Sequence, residues 1–247
     1  MSDFWIVLTL SLLPGLGNFA GGMAAEFVAT PPKRLNLALH VASGIVMGVV
    51  AIELMPEALD NLAGWWIAAA VAAGGLAYIG SGVLIKRMMS SQNSSGRSAM
   101  WMIYVAVAID LVGDGLMIGS GSAVTTSLAI ALAAGQVLAD IPEGYAVVAN
   151  FRSKGIERKW RIGASLSFTL FCVGAAMLAW YLLRSAPDAA KYIALSFVAG
   201  LLLVAAVEDM LEEAHQVQSD TRLSTGSFIG GFVLFTLVSA GLETALS

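Results

Sequence analysis

The chain has 247 residues, 58% of them hydrophobic and 12% charged, with a net charge of −4 and a mean hydropathy of +0.81. Soluble domains carry about 25% charged residues, so this composition excludes a water-soluble globular protein and points to an integral membrane protein. No nucleic-acid partner and no enzymatic activity are expected of it.

A helix needs about 20 mostly apolar residues to cross a bilayer, whereas a barrel strand needs about 10. Runs of the longer kind fall at roughly 4–28, 35–59, 64–85, 99–119, 123–150, 161–183, 190–214 and 224–246. The fold class read from them is all-α: a polytopic membrane protein of eight transmembrane helices, with residues 1–247 forming a single transmembrane domain.

Span 1 begins within "MSDFWIVLTL", which has no basic n-region, so it is expected to be retained rather than cleaved. Span 2 begins near His40 and ends among the acids Glu53, Glu57 and Asp60. Met47 shares a helical face with His40 and Gly44. Trp65, Trp66, Trp101 and Trp160 stand at span ends and read as interfacial anchors. The stretch 86–98, "KRMMSSQNSSGRS", is polar and basic and reads as a flexible cytoplasmic loop.

Span 4 carries Asp110 and Asp114, four residues apart and therefore on one helical face. Span 5 carries Asp140 and Glu143 on one face, with Gln136 a turn before them. Pro142 lies between the two acids; it has no N–H, so the carbonyl of Leu138 loses its helical donor and a kink is expected. The chain's one cysteine, Cys172, lies in span 6, so no intramolecular disulfide is possible. Asp209, Glu212, Glu213 and His215 close span 7.

The basic residues give an orientation. With the loop between spans 1 and 2 in the cytoplasm, the loops on that side hold 11 of the 13 Lys and Arg: Lys33, Arg34, Lys86, Arg87, Arg97, Arg152, Lys154, Arg158, Lys159, Arg161 and Arg222. The opposite side holds Arg184 and Lys191. The positive-inside rule then places both termini outside the cytoplasm, in a cell inner or plasma membrane.

The chain also repeats itself. "SGIVMGVVAIELMPEA" (43–58) aligns without gaps on "AGLLLVAAVEDMLEEA" (199–214), setting Gly44 on Gly200, Glu53 on Asp209 and Glu57 on Glu213. The two spans run in opposite directions, so the repeat is inverted, as in many secondary transporters. "DLVGDG" (110–115) aligns more weakly on "ADIPEG" (139–144). The layout is then three spans, two spans, three spans.

Buried acids are rare in membrane spans and by default mark an ion or proton path. No Lys or Arg lies deep in any span to neutralise these. Four converging carboxylates must therefore hold either protons or a metal, and acids from facing helices are a common way to build a metal site in a bundle. Asp110, Asp114, Asp140, Glu143 and Gln136 are the expected metal-binding set. Glu53, Glu57, Asp209, Glu212, Glu213 and His215 are the expected access path on either side.

These features together resemble the ZIP (Zrt/Irt-like) family of divalent-metal transporters, in a divergent prokaryotic-type form. Span 5 "ADIPEG" is similar to the family's metal-site motif, and spans 2 and 7 look like the family's own. The resemblance implies metal ligation by Asp140 and Glu143, with Asp110 and Asp114 at the positions of the family's span 4 His and Glu. Its usual span 4 pattern, His-Asn-x-Pro-Glu-Gly, here reads Asp110-Leu111-Val112-Gly113-Asp114-Gly115. Phe171 and Cys172 stand where many relatives carry a span 6 Glu-Pro. One metal at a time is expected, because Leu111 and Phe171 remove two ligands of a second site. The all-oxygen set favours harder ions such as Mn, Mg or Fe over Zn; Co is also allowed.

The function expected is secondary transport of a divalent metal ion into the cytoplasm, with the metal as cargo and no cofactor. The bilayer and the ion are the expected partners, and a homodimer is allowed. The alternatives are a proton-coupled carrier of another solute, a metal-binding relative that no longer transports, and an intramembrane aspartyl protease. The protease fits poorly, since Ile109 replaces the Tyr usual before one aspartate and Glu143 is left without a role.

Overall fold

In this computed structural model, residues 2–89, 96–219 and 221–246 are described. They form eight long helical segments: α1 (Ser2–Phe27), α2 (Pro32–Asn61), α3 (Gly64–Met89), α4 (Gly96–Val124), α5 (Thr126–Ser153), α6 (Arg158–Leu183), α7 (Asp188–Val217) and α8 (Arg222–Leu246). Residues 90–95, the centre of the expected polar loop, lie outside the described residues; the sequence on either side belongs to α3 and α4.

The connections follow local chemistry. Pro31 and Pro32 begin α2, where a missing N–H costs nothing. Thr125 caps α5 by accepting a hydrogen bond from the Leu128 N–H at 3.1 Å. Gly155, at φ 72°, turns the chain between α5 and α6, a conformation that needs no Cβ.

Seven of the eight segments are long and apolar enough to cross a membrane. The other is α5, whose Gln136, Asp140, Glu143 and Asn150 lower its hydropathy. It is also packed on several sides by other helices, with 16 buried residues among its 28. Protein rather than lipid surrounds its polar groups, which is the condition under which such residues are tolerated at this depth. It runs unbroken through Pro142.

The helices pair through glycines that let backbones touch. A Cβ on Gly44 would lie 2.0 Å from the Phe228 carbonyl oxygen, and one on Gly231 2.2 Å from that of Val41. The repeat-related pair does the same: Gly200 against Val71 O at 2.0 Å and Gly74 against Phe197 O at 1.9 Å. So α2 locks to α8 as α7 locks to α3. In the middle, Gly21 and Gly144 lock α1 to α5, and Gly115 and Gly119 lock α4 to α6. The inverted repeat read from spans 2 and 7 is thus also present in the packing.

Two groups result: α1, α4, α5 and α6 in one, α2, α3, α7 and α8 in the other. Each is stitched by polar contacts. Glu26 of α1 binds Arg161 of α6 through two hydrogen bonds of 2.5 and 2.8 Å. In the other group Asn36 of α2 donates to the Ala214 and Gln218 carbonyls of α7, and Ser224 of α8 donates to Asn36 Oδ1. An apolar core including Val49, Leu54, Met117, Leu132, Leu202 and Phe235 fills the space between the groups.

The repeat has a further mark. In α2 the residues Val50–Leu54 form a π-helical turn, and in α7 Ala206–Leu211 do so. The alignment that sets Glu53 on Asp209 also sets Val50 on Ala206. Such turns shift the register of side chains beyond them and often occur at functional sites.

Candidate metal centre

Helical spacing places Asp110 and Asp114 on one face of α4, and Gln136, Asp140 and Glu143 on one face of α5. The two faces meet. Exposures are 5% for Asp110, 1% for Asp114, 1% for Gln136, 0% for Asp140 and 6% for Glu143. Asp110 and Asp140 each lie beside Glu143, and Asp114 lies near Gln136. The Gln136 amide donates to Asp140 Oδ1 at 3.4 Å.

This cluster leaves oxygens without partners. Both Asp114 oxygens, Gln136 Oε1, Asp140 Oδ2 and Glu143 Oε2 are buried without a hydrogen bond. Each such group costs about 1–3 kcal/mol, more if charged. A bound cation would offset that cost, and the donor set, all carboxylate and amide oxygen, suits a hard divalent ion. Among the described residues, no three His, Cys, Asp or Glu side chains already converge as a closed metal-binding group. The oxygens are gathered but not drawn onto one point.

A cavity of about 430 Å³ leads away from the cluster. Asp110 and Glu143 lie on it with Asn150, Glu208, Asp209, Glu212, Glu213 and Gln216, and apolar residues such as Leu39, Ile79, Val83 and Ile103 complete its walls. It therefore joins the centre to the acidic end of α7, on the side of the basic loops. Asn150 of α5 donates to Glu213 Oε1 at 3.1 Å, a bond between the two helix groups. Tyr78 of α3 hydrogen-bonds Asp209.

The expected path residues separate in space. Asp209, Glu212 and Glu213 line the cavity. His215 is exposed and its ring lies 5.9 Å from that of His40, whose Nδ1–H donates to the Asn36 carbonyl at 2.8 Å. Glu53 and Glu57 are not on this cavity. They lie towards the chain termini, beyond the apolar core, and Glu53 accepts a 2.5 Å hydrogen bond from Ser239. Met47 packs against that apolar core.

Sequence reasoning passed over Glu208, Asn150 and Tyr78. Glu208 aligns with Ile52 in the repeat, so the repeat offered no reason to select it. Tyr78 and Asn150 carry no motif, and only packing brings them to the acids. Leu111, by contrast, is 0% exposed in an apolar cluster with Phe151, Phe168 and Cys172, against which Phe171 also packs. Apolar side chains fill the place beside Asp110 and Asp114.

Comparison with known proteins agrees with this architecture. The profile of the family described as "ZIP Zinc transporter" matches residues 86–239, more than half of the chain. A zinc transporter ZupT of Chlorobium limicola is 33% identical over 87 residues, covering 32% of this chain and 33% of that protein. The alignment thus spans about a third of the length of the curated relative. On the matched profile, with eight helices in an inverted 3+2+3 arrangement, the chain belongs to the ZIP family.

Proposed function

We propose that this protein is a secondary transporter that carries divalent metal ions through the carboxylate cluster between α4 and α5. The observation that carries the reading is the set of buried, unpartnered oxygens on Asp114, Gln136, Asp140 and Glu143 beside a cavity lined by further acids. The metal is cargo. Asp110, Asp114, Asp140 and Glu143 bind it, Gln136 orients Asp140, and Asp209, Glu212 and Glu213 take it onward.

Release is towards the side of the basic loops, which the charge asymmetry assigns to the cytoplasm. The cavity opens that way, while the apolar core seals the route towards Glu53 and Glu57. Movement of α1, α4, α5 and α6 as one body against the other four would carry the cluster past that seal. The glycine locks within each group and the apolar surface between them favour such sliding. Leu111 in its apolar cluster favours one metal at a time. The all-oxygen donors favour Mn²⁺ or Fe²⁺ over Zn²⁺.

Proteoliposomes filled with a metal-sensitive dye test this. Wild-type protein is expected to admit Mn²⁺, and Glu143→Gln to lose most of that flux and its bound metal. Equal uptake by wild type and E143Q would refute the site, and a strong preference for Zn²⁺ over Mn²⁺ would refute the specificity.

A further inference from the structure

A second buried polar cluster lies where α1 meets α6, and metal transport as described makes no use of it. Asn18 is 0% and Ser165 2% exposed. Both side-chain polar atoms of Asn18, Ser165 Oγ and Thr169 Oγ1 are buried without a hydrogen bond.

The two hydroxyls are unusual for helical Ser and Thr, which ordinarily bond back to a carbonyl one turn earlier. Ser122 does so to Ile118 at 2.7 Å, Ser196 to Tyr192 at 2.8 Å and Thr236 to Phe232 at 2.9 Å. Ser165 and Thr169 turn away from their own helix instead.

Their direction follows from the glycines opposite. A Cβ on Gly15 would lie 2.5 Å from Thr169 Oγ1, and one on Gly22 would lie 3.2 Å from Ser165 Oγ. Asn18 comes three residues after Gly15 and four before Gly22, so it shares their face of α1. Along α1 it stands between the two positions that face the hydroxyls. Gly144, next to Glu143, packs on the Asn18 backbone, where an added Cβ would lie 1.9 Å from the Asn18 carbonyl oxygen. The cluster thus lies beside the metal centre, where Asp140 Oδ2 also lacks a partner.

We propose that Asn18 Oδ1, Ser165 Oγ and Thr169 Oγ1 form a second cation site, for a hard monovalent ion such as Na⁺, beside Asp140. Three neutral oxygens with one nearby carboxylate compensate a single positive charge. They are too few and too weakly charged for a divalent ion, and they offer none of the nitrogen or sulfur that softer metals prefer. The position, close to the meeting of the inverted repeats, is where coupling ions bind in many transporters. Because the site adjoins Asp140, its occupancy is coupled to that of the metal centre.

The test uses the full chain purified in detergent, with a divalent-metal chelator present throughout, so it does not depend on the metal-transport reading. Thermal unfolding is followed in NaCl and in choline chloride at equal ionic strength. Na⁺ is expected to raise the Tm saturably, by roughly 3–6 °C at about ten times its Kd. Asn18→Ala and the nearly isosteric Thr169→Val are expected to lose most of that shift, while Gly174→Ala, at an open position of α6, keeps it. Equal Tm values in the two salts would mean that water alone fills the cluster, and would overturn the proposal. A Thr169→Val protein that responds to Na⁺ as wild type does would overturn it as well.

Discussion

Gly144 directly follows Glu143, and replacing it with Ala tests the link between helix packing and the metal centre. A Cβ there would lie 1.9 Å from the Asn18 carbonyl oxygen, 2.6 Å from its carbonyl carbon and 2.7 Å from its Cα. All three are backbone atoms, so no side chain can rotate out of the way. Restoring an ordinary contact of about 3.3 Å requires α1 and α5 to part by more than 1 Å. Overpacking of a tight core costs about 1–3 kcal/mol, and the better helix propensity of Ala returns less than about 1 kcal/mol of that. At about 2–4 °C per kcal/mol, the Tm falls by roughly 2–8 °C. Because Glu143 moves with the helix, Mn²⁺ uptake falls by more than the loss of folded protein accounts for. Gly174→Ala is the control: nothing lies within 4 Å of a Cβ there, so its Tm holds or rises. A Gly144→Ala protein with wild-type Tm and uptake would show that the close approach of α1 and α5 is not needed, and the reasoning would fail.

Other changes probe the same architecture. Arg161→Met removes the bidentate partner of Glu26, whose side chain is 5% exposed, and leaves it only the 3.5 Å contact with Arg158; thermal unfolding should show a loss of roughly 1.5–3 kcal/mol, much of it regained in the double variant with Glu26→Leu. Leu111→Ala removes a 0% exposed side chain from the cluster with Phe151 and Phe168; a loss of about 2–5 kcal/mol is expected, and a smaller one would mean the pocket is loosely packed. Asn150→Ala deletes the hydrogen bond to Glu213 that joins the two helix groups across the cavity. At about 1 kcal/mol the population should shift roughly fivefold away from this conformation, read as slower labelling of Glu208→Cys by an impermeant thiol reagent.

The apolar interface between the helix groups has a mechanical consequence. Hydrogen bonds and ion pairs are concentrated within each group, as between Glu26 and Arg161 or between Asn36 and the end of α7. Apolar contacts are non-directional, so one group can slide on the other without breaking a ladder of specific bonds. The π turns Val50–Leu54 and Ala206–Leu211 lie in α2 and α7 beside that interface.

Much of this was legible in the sequence. Long apolar runs separated by short polar breaks determine a bundle of eight helices, since only helices of that length satisfy their backbone in lipid. The alignment of 43–58 on 199–214 determines the inverted repeat, and acids spaced four and three apart put Asp110 with Asp114, and Asp140 with Glu143, on one helical face each. What the sequence could not decide was which face meets which. A helix that is apolar all round shows no amphipathic stripe from which its neighbours can be read. Only the tertiary structure assigned α1 to α5 and α4 to α6, placed the cavity beside Asp209 rather than Glu53, added Tyr78, Asn150 and Glu208 to it, and buried the polar atoms of Asn18, Ser165 and Thr169 without hydrogen-bond partners. Those choices rest on contacts between residues far apart in the chain, made where a glycine lets two backbones touch, and no local pattern records them.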